Sequence, residues 1–456
     1  MSNSSLLSLS SLDGRYLNKV IELRDLFSET SLIRHRLLVE TLYLIALSQF
    51  LAKEKLTKAE EKKLLNWVNQ LKPQDFLKVK KIEKEIKHDV KAIEYFLTNN
   101  LKRLNLERIS YLVHWGLTSE DTNNLAYGLM IQKAKDKVIY PLNLNLIKTL
   151  LNLAEKYRQV IMPARTHGQI AVPTTFGKEL VVFASRASWF LKKIIGFKLA
   201  GKLNGAVGNF NAQIKIFPQK DWIKFSQSFV NQLGLDYSLI TTQIEPSSKL
   251  VFFLDIIRQL NNVWLDLAKD CWLYISYDDL TQKINQKEVG SSTMPHKVNP
   301  INFENAEGNL EIANSLLIML SNKLPISRMQ RDLSDSTVKR NIGLSLGHST
   351  LAIKSLLSGL EKIKPNKNYL LKQVNDHPEM LTEGLQLMLK IYGQSQAYEK
   401  IKQQSRGKKI VWQDLISSLN LPQKNILNSW KPENYIGLAS QLTKIEIEKI
   451  KKSLNI

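Results

Sequence analysis

Cysteine is almost missing from this chain of 456 residues: Cys271 is the only one. A single cysteine excludes a disulfide framework and a cysteine-cluster metal site. Its apolar surroundings predict a buried thiol rather than a nucleophile. No stretch approaches 18 uncharged apolar residues, so none reads as a membrane span. Residues 1 to 11 lack the basic region of a secretory signal. A water-soluble, cytoplasmic protein is expected. Alternating β patterns are nearly absent. No histidines have His-Glu-x-x-His spacing, and there is no Gly-x-Ser-x-Gly elbow. The Gly- and Asn-rich stretch 201 to 213 is followed by no Gly-Lys-Ser/Thr and preceded by no strand pattern, which excludes a phosphate loop and a dinucleotide fingerprint. Neither a metal nor a cofactor is expected.

Charge is what the chain has in excess, with a formal net value of +22. A nucleic-acid surface is one reading of that excess. Only 14 of the 64 basic residues are Arg, and Lys is spread along the whole chain. No dense basic block stands out, so surface drift accounts for the charge better, and nucleic acid is not an expected partner.

Apolar residues recur at helical spacing through most of the chain. Helices are expected over 31–52, over 57–71, ended by Pro73, and over 79–103. A long one spans 124–157, bent or restarted at Pro141. Others cover 175–202, 248–282 and 300–321, with a further one ending near 360. Several exceed 20 residues, and at about 1.5 Å per residue such helices pass 30 Å and suit a bundle. The expected fold is all-α, with an N-terminal domain over 1–115, a central long-helix bundle over 116–345 and a C-terminal domain over 346–456.

Polar islands interrupt these helices. Arg15-Tyr16 follows an Asp-Gly turn signal. His88-Asp89 lies within a helical pattern, adjacent rather than facing each other. Thr118-Ser119 is placed to cap the next helix, whose N-terminus would offer N–H groups to a carboxylate. His167 sits in a polar turn, Arg165-Thr166-His167-Gly168-Gln169. Gln243 precedes the longest helix. Arg331, Ser336 and Arg340 share a polar segment. The densest island runs Gly290-Ser291-Ser292-Thr293-Met294-Pro295-His296-Lys297-Val298-Asn299-Pro300, and backbone N–H groups in such a loop can converge on an anion. The inventory is cationic and hydroxyl-rich, with histidines for proton transfer. It suits proton abstraction beside a carboxylate, held by anion clamps. On pKa grounds alone His296 is a better base than a serine hydroxyl.

Ser291 to Asn299 resembles the signature of the fumarase/aspartase superfamily, Ser-Ser-x-Met-Pro-x-Lys-x-Asn. Within it, the other islands resemble the bacterial adenylosuccinate lyase family. The matching stretches are Asp-Gly-Arg-Tyr, His-Asp-Val-Lys-Ala-Ile-Glu-Tyr-Phe, Thr-Ser-Glu-Asp, Arg-Thr-His-Gly-Gln, Asn-Gly-Ala-Val-Gly-Asn, Thr-Thr-Gln-Ile-Glu-Pro and Gln-Arg-Asp-Leu-Ser-Asp-Ser-Thr-Val, covering 13 to about 345. The resemblance implies a three-domain all-α subunit, a homotetramer, and active sites built from three subunits. It implies β-elimination of fumarate from adenylosuccinate, giving AMP, and from the succinylated aminoimidazole carboxamide ribotide of purine synthesis, giving its amide.

By the same resemblance Ser291 is the base, His167 the acid and Glu304 the carboxylate that orients this His. Lys297 and Asn299 hold the charged carboxylate. Thr118, Ser119 and Gln243 bind the succinyl group, and His88 and Asp89 contact substrate near the base. Arg15, Tyr16, Arg331, Ser336 and Arg340 form the nucleotide and phosphate clamp. A Ser291 alkoxide needs a water-poor site, so the segment 282 to 297 is expected to order on binding. Two residues depart from the family pattern: Lys87, where a smaller polar residue is usual, and Lys339, where an apolar one is. Argininosuccinate lyase and fumarase share the 290–300 loop but not the His-Asp-Val-Lys island or the Arg-rich clamp. A basic nucleic-acid scaffold is the alternative from a different class.

Overall fold

The computed structural model describes residues 6–51, 55–284, 293–419 and 424–456. The fold is all-α, with three small two-stranded sheets among the described residues. The longest helix, Ser248–Ser276, has 29 residues, a length of roughly 43 Å at the standard rise. Helices Glu29–Leu51 and Ile301–Lys323 have 23 residues each. No helix among the described residues is long and apolar enough to cross a membrane.

The chain forms two compact units: residues 1–143, 193–261 and 309–352 in the first, and 144–192, 262–308 and 353–456 in the second. Four of the five points of division fall inside helices, and the fifth at the end of helix Phe176–Lys192.

In the first unit, helix Glu29–Leu51 packs along helix Ser119–Ala134. Both are buried nearly all round, polar residues included. An aromatic cluster of Tyr43, Phe50, Trp115, Trp222, Phe225 and Phe229 closes one side. The N-terminal turn docks through Leu12 and Val20 against Leu351, with Tyr16 and Leu344 packed on this cluster.

Three sequence expectations are corrected here. The single helix over 79–103 is two, Pro73–Ile86 and Asp89–Arg103. Lys87 ends the first in the left-handed region (φ 57°), a common helix stop that usually falls to glycine. Pro73 opens a helix rather than closing one, because its missing N–H costs nothing at the first position. The 124–157 helix begins at Ser119 and carries a π-turn over Lys135–Ile139, ending two residues before Pro141.

In the second unit, the expected polar turn around His167 is a β-hairpin, Ile161–Thr166 and Gln169–Thr175. His167 (φ 53°) and Gly168 (φ 75°) form its two-residue tip, both in the left-handed region that tight hairpins favour. Pro163 lies opposite Pro173. A two-stranded ribbon tolerates proline because each strand leaves one edge unbonded. Helix Phe176–Lys192 follows directly, so the expected 175–202 helix ends ten residues early. The helix Ala439–Leu454 packs back against it. Likewise helix Ser248–Ser276 stops short of 282, and Leu280–Gln282 pairs with Ile363–Pro365 instead. Near the C-terminus, Leu381, Leu385, Leu389, Ile401 and Trp412 anchor a satellite core.

Candidate active site

Asp121 is the buried anchor of the first unit's polar centre, with no exposure. It lies in the first turn of helix Ser119–Ala134, where a carboxylate also complements the helix dipole. One oxygen accepts from the Thr118 backbone N–H at 2.9 Å. The same carboxylate accepts from the backbone N–H groups of Asn204 (3.1 Å) and Gly205 (3.2 Å) and from Lys202 Nζ (3.0 Å). The Gly- and Asn-rich loop is thus an anion cradle whose anion is the chain's own carboxylate. Its glycines are needed there: a Cβ on Gly208 (φ 84°) would lie 2.3 Å from the Thr241 carbonyl oxygen. Lys202 Nζ also donates to the Gln243 carbonyl at 2.8 Å, which ties the Gln243 segment to this loop.

Glu120, beside Asp121, gathers cations. Lys339 Nζ reaches it at 3.0 Å and Asp335 at 2.8 Å, and Arg331 Nη2 lies 3.4 Å away. Arg331 Nη1 donates to Gln243 Oε1 at 3.2 Å. Lys339 is buried. Desolvation disfavours its charge, but Glu120 and Asp335 outweigh that and raise its pKa. The family departure at 339 therefore faces inward, into an ion cluster.

Asp89 stands between two guanidinium groups, Arg36 at 2.7 Å and Arg340 at 3.5 Å. Burial opposes its charge, yet Arg36, the Val90 N–H and Arg340 hold its pKa below the ordinary carboxylate value. Arg340 also pairs with Glu29 at 2.8 Å. His88 caps helix Asp89–Arg103, its Nδ1 accepting from the Lys91 N–H at 3.0 Å. Behind Thr118 and Ser119, His114 Nδ1 bonds Glu40 at 2.7 Å, and Thr122 Oγ1 donates to the same Glu40 oxygen at 2.6 Å. Burial lowers the His114 pKa, but Glu40, then Glu94 and Asp121, carry it above the usual value.

The structure thus brings four expected site residues into direct pairs across long sequence distances: Asp89 with Arg340, and Gln243 with Arg331. Thr118 and Ser119 sit at the start of the helix that carries Glu120 and Asp121. Tyr16 packs in the N-terminal cluster, and Arg15 beside it is exposed. Ser336 is half-buried in the short helix Ser334–Lys339.

In the second unit, His167 is exposed at the hairpin tip, and Lys297 and Glu304 are exposed as well. Asn299 is partly buried, and Gln282 Nε2 donates to the Val298 carbonyl beside it at 2.9 Å. Glu304 accepts from Trp272 Nε1 at 3.2 Å. Ser291 lies outside the described residues. So do residues 285–292, half of the segment expected to order on binding.

The expected site residues did not include Arg36, Glu120 and Lys202. Arg36 was legible as a charge inside an apolar helical pattern, and it is only 2% exposed. Glu120 and Lys202 carried no such signal, since an acid after a cap and a lysine after a glycine read as ordinary surface. Among the described residues, no group of three or more His, Cys, Asp or Glu could hold a metal ion. Cys271 is buried, and desolvation pushes its thiol pKa up.

Comparison with known proteins identifies this helical chain as a lyase. The family model for Lyase matches residues 14–312, and that for the adenylosuccinate lyase C-terminal region matches 327–436. Adenylosuccinate lyase of Buchnera aphidicola subsp. Acyrthosiphon pisum is 43% identical over 97% of this chain and 99% of its own length. That of Haemophilus influenzae is 41% identical over 97% and 99%, and that of Escherichia coli K12 is 40% identical over 96% and 98%. The chain belongs to the adenylosuccinate lyase family. Solved structures share the fold at low identity. A fumarate lyase from Mesorhizobium sp. BNC1 superposes with a TM-score of 0.76 at 16% identity, covering 94% of this chain and 97% of that one. The 3-carboxy-cis,cis-muconate lactonizing enzyme of Pseudomonas putida gives 0.75 at 17% identity, covering 95% and 98%.

Proposed function

We propose that this protein is a carbon–nitrogen lyase of purine nucleotide synthesis. It releases fumarate from adenylosuccinate to leave AMP, and from the succinylated aminoimidazole carboxamide ribotide to leave its amide. The observation that carries this reading is the 40–43% identity to adenylosuccinate lyases over nearly the whole chain.

The roles follow the chemistry. Ser291, as an alkoxide, takes the proton from the succinyl carbon next to a carboxylate. The electron pair builds on that carboxylate as an aci-carboxylate, held by Lys297 and Asn299. It then collapses to form the fumarate double bond as the carbon–nitrogen bond breaks. His167 delivers a proton to the departing nitrogen, and Glu304 orients and polarises this His. Thr118, Ser119 and Gln243 hold the succinyl group, and His88 and Asp89 lie near the base. Arg15, Tyr16, Arg331, Ser336 and Arg340 hold the nucleotide and its phosphate, for which guanidinium forks are suited. The contacts Arg331–Gln243 and Arg340–Asp89 support this grouping, since each joins expected site residues from distant parts of the chain. Every step uses side chains of the protein, so no metal or cofactor is invoked.

The assembly is a homotetramer with each site shared between subunits, working in the cytoplasm. Exposed acid, anion-holding and phosphate-holding residues support the sharing, because a water-poor site needs a cover that an isolated subunit would have to find elsewhere. In functional terms 1–115 brings the His88 island, 116–345 the catalytic groups, and 346–456 the C-terminal support. The decisive experiment mixes purified protein with adenylosuccinate and follows the ultraviolet spectrum. AMP and fumarate are the expected products, and their absence would overturn the proposal.

A further inference from the structure

We propose that Arg165, Asp279 and Gln373 form a positioning clamp for His167. The proposal rests on the assignment of His167 as the acid. Arg165 stands two residues before His167, on the outgoing strand of the hairpin. Its guanidinium donates to Asp279 Oδ2 at 2.7 Å and to Gln373 Oε1 at 2.8 Å. Gln373 Nε2 closes the ring by donating to Asp279 Oδ1 at 2.9 Å. The guanidinium also lies over the Tyr277 ring, 4.7 Å from its centre. Three segments far apart in sequence meet here, and each of the three side chains bonds the other two.

The hairpin needs such a tether. Its register shifts between Pro163 and Arg165, with Ala171 and Val172 facing the single residue Ala164. A bulge of this kind re-aims the residues beyond it, and the residues beyond it are the tip. A cavity of about 570 Å³ borders the tip, lined by Gly168 and Gln169 together with Arg165, Tyr277 and Gln373. The tip is therefore not packed in place on that side. The clamp fixes it to a firmer base. Asp279 has a side chain 1% exposed and precedes the strand Leu280–Gln282, and its carbonyl accepts from the Asn366 N–H at 2.9 Å. Gln373 lies on helix Lys367–Asn375, which packs directly on the strand Ile161–Thr166. Arg165 thus converts this support into an orientation for His167. Lysine could not do so, because it cannot present two donors in a fixed fork.

The test compares Gln373→Leu and Arg165→Lys with the unaltered tetramer, using adenylosuccinate as substrate. Gln373→Leu keeps the bulk and removes two of the three bonds. Arg165→Lys keeps the charge and removes the fork. A proton donor displaced by a fraction of an ångström slows chemistry without loosening substrate, so kcat falls about ten- to a hundredfold while KM stays within about twofold. His167→Asn is the control for the underlying assignment: near-normal turnover in that variant would remove the acid, and the clamp's purpose with it. Loss of turnover in His167→Asn, with unaltered kcat in both clamp variants, would overturn the clamp alone. So would a clamp variant whose Tm falls while kcat, measured well below that Tm, does not. A rise in KM at constant kcat would also count against it.

Discussion

His114 is a partly buried imidazole held by carboxylates, and the consequences can be worked out by sign. Its folded pKa lies above the ordinary value because Glu40 and Glu94 overcome the burial penalty. Folding therefore favours the protonated form. The stabilisation is complete below the unfolded pKa, about 6.5, and is lost as pH rises through the raised folded value. A His114→Gln variant should melt below the natural protein in mildly acidic buffer, and the gap should narrow as pH rises. A gap constant from about pH 5.5 to 9 would remove the ionic role assigned to His114. Lys339 makes a second prediction. Replacing it with Met leaves Glu120 and Asp335 buried without their shared cation, and breaking such a pair costs about 3–5 kcal/mol. The measurable outcome is a marked drop in Tm, and a Tm equal to the natural protein's would show that the cluster relaxes instead. At this scale the sequence pointed to the right residue types but not to their company. It marked Lys339 as unusual, yet its partner Glu120 lies 219 residues away, and Glu40 lies 74 from His114; no local pattern encodes such pairings.

Among the elements, the loop 201–209 shows most directly how backbone shape serves the polar centre. Gly205 and Gly208 both hold positive φ, and the Asn204 and Gly205 N–H groups reach Asp121. Gly208→Ala should destabilise this loop through both φ and the clash with the Thr241 carbonyl, by roughly 1–3 kcal/mol for the strained backbone alone. Because the loop also holds the Gln243 segment through Lys202, KM for adenylosuccinate should rise along with the fall in Tm. A variant with lower Tm and unchanged KM would separate the loop from substrate binding. The helices were legible because their apolar spacing is long and regular, as in Ser248–Ser276. The hairpin was not. Ile161–Thr166 and Gln169–Thr175 carry a proline each and do not alternate cleanly, since a bulge breaks their period. The break at Lys87 was equally hidden, because a lysine in the left-handed region replaces the usual glycine signal.

For the whole molecule, the expected site residues are divided between the two units. Those of the first unit centre on Glu120 and Asp89, and those of the second sit on the hairpin tip and around Lys297. Glu304 is engaged with Trp272 of its own chain. The proposed sharing of sites between subunits makes a prediction that a site within one chain would not. Ser291→Ala and His167→Asn should each lose most turnover, because removing a positioned base or acid costs about 10²–10⁴-fold. If base and acid of one site come from different subunits, a mixed oligomer of the two variants contains some sites that carry neither substitution. Dissociating and reassembling the two inactive proteins together should therefore restore activity, while each reassembled alone stays inactive. Hybrids of confirmed mixed composition that remain inactive would place Ser291 and His167 on the same subunit at every site. In that event the general acid and base must meet within one chain, and the exposure of His167 would need a cover other than a neighbouring copy.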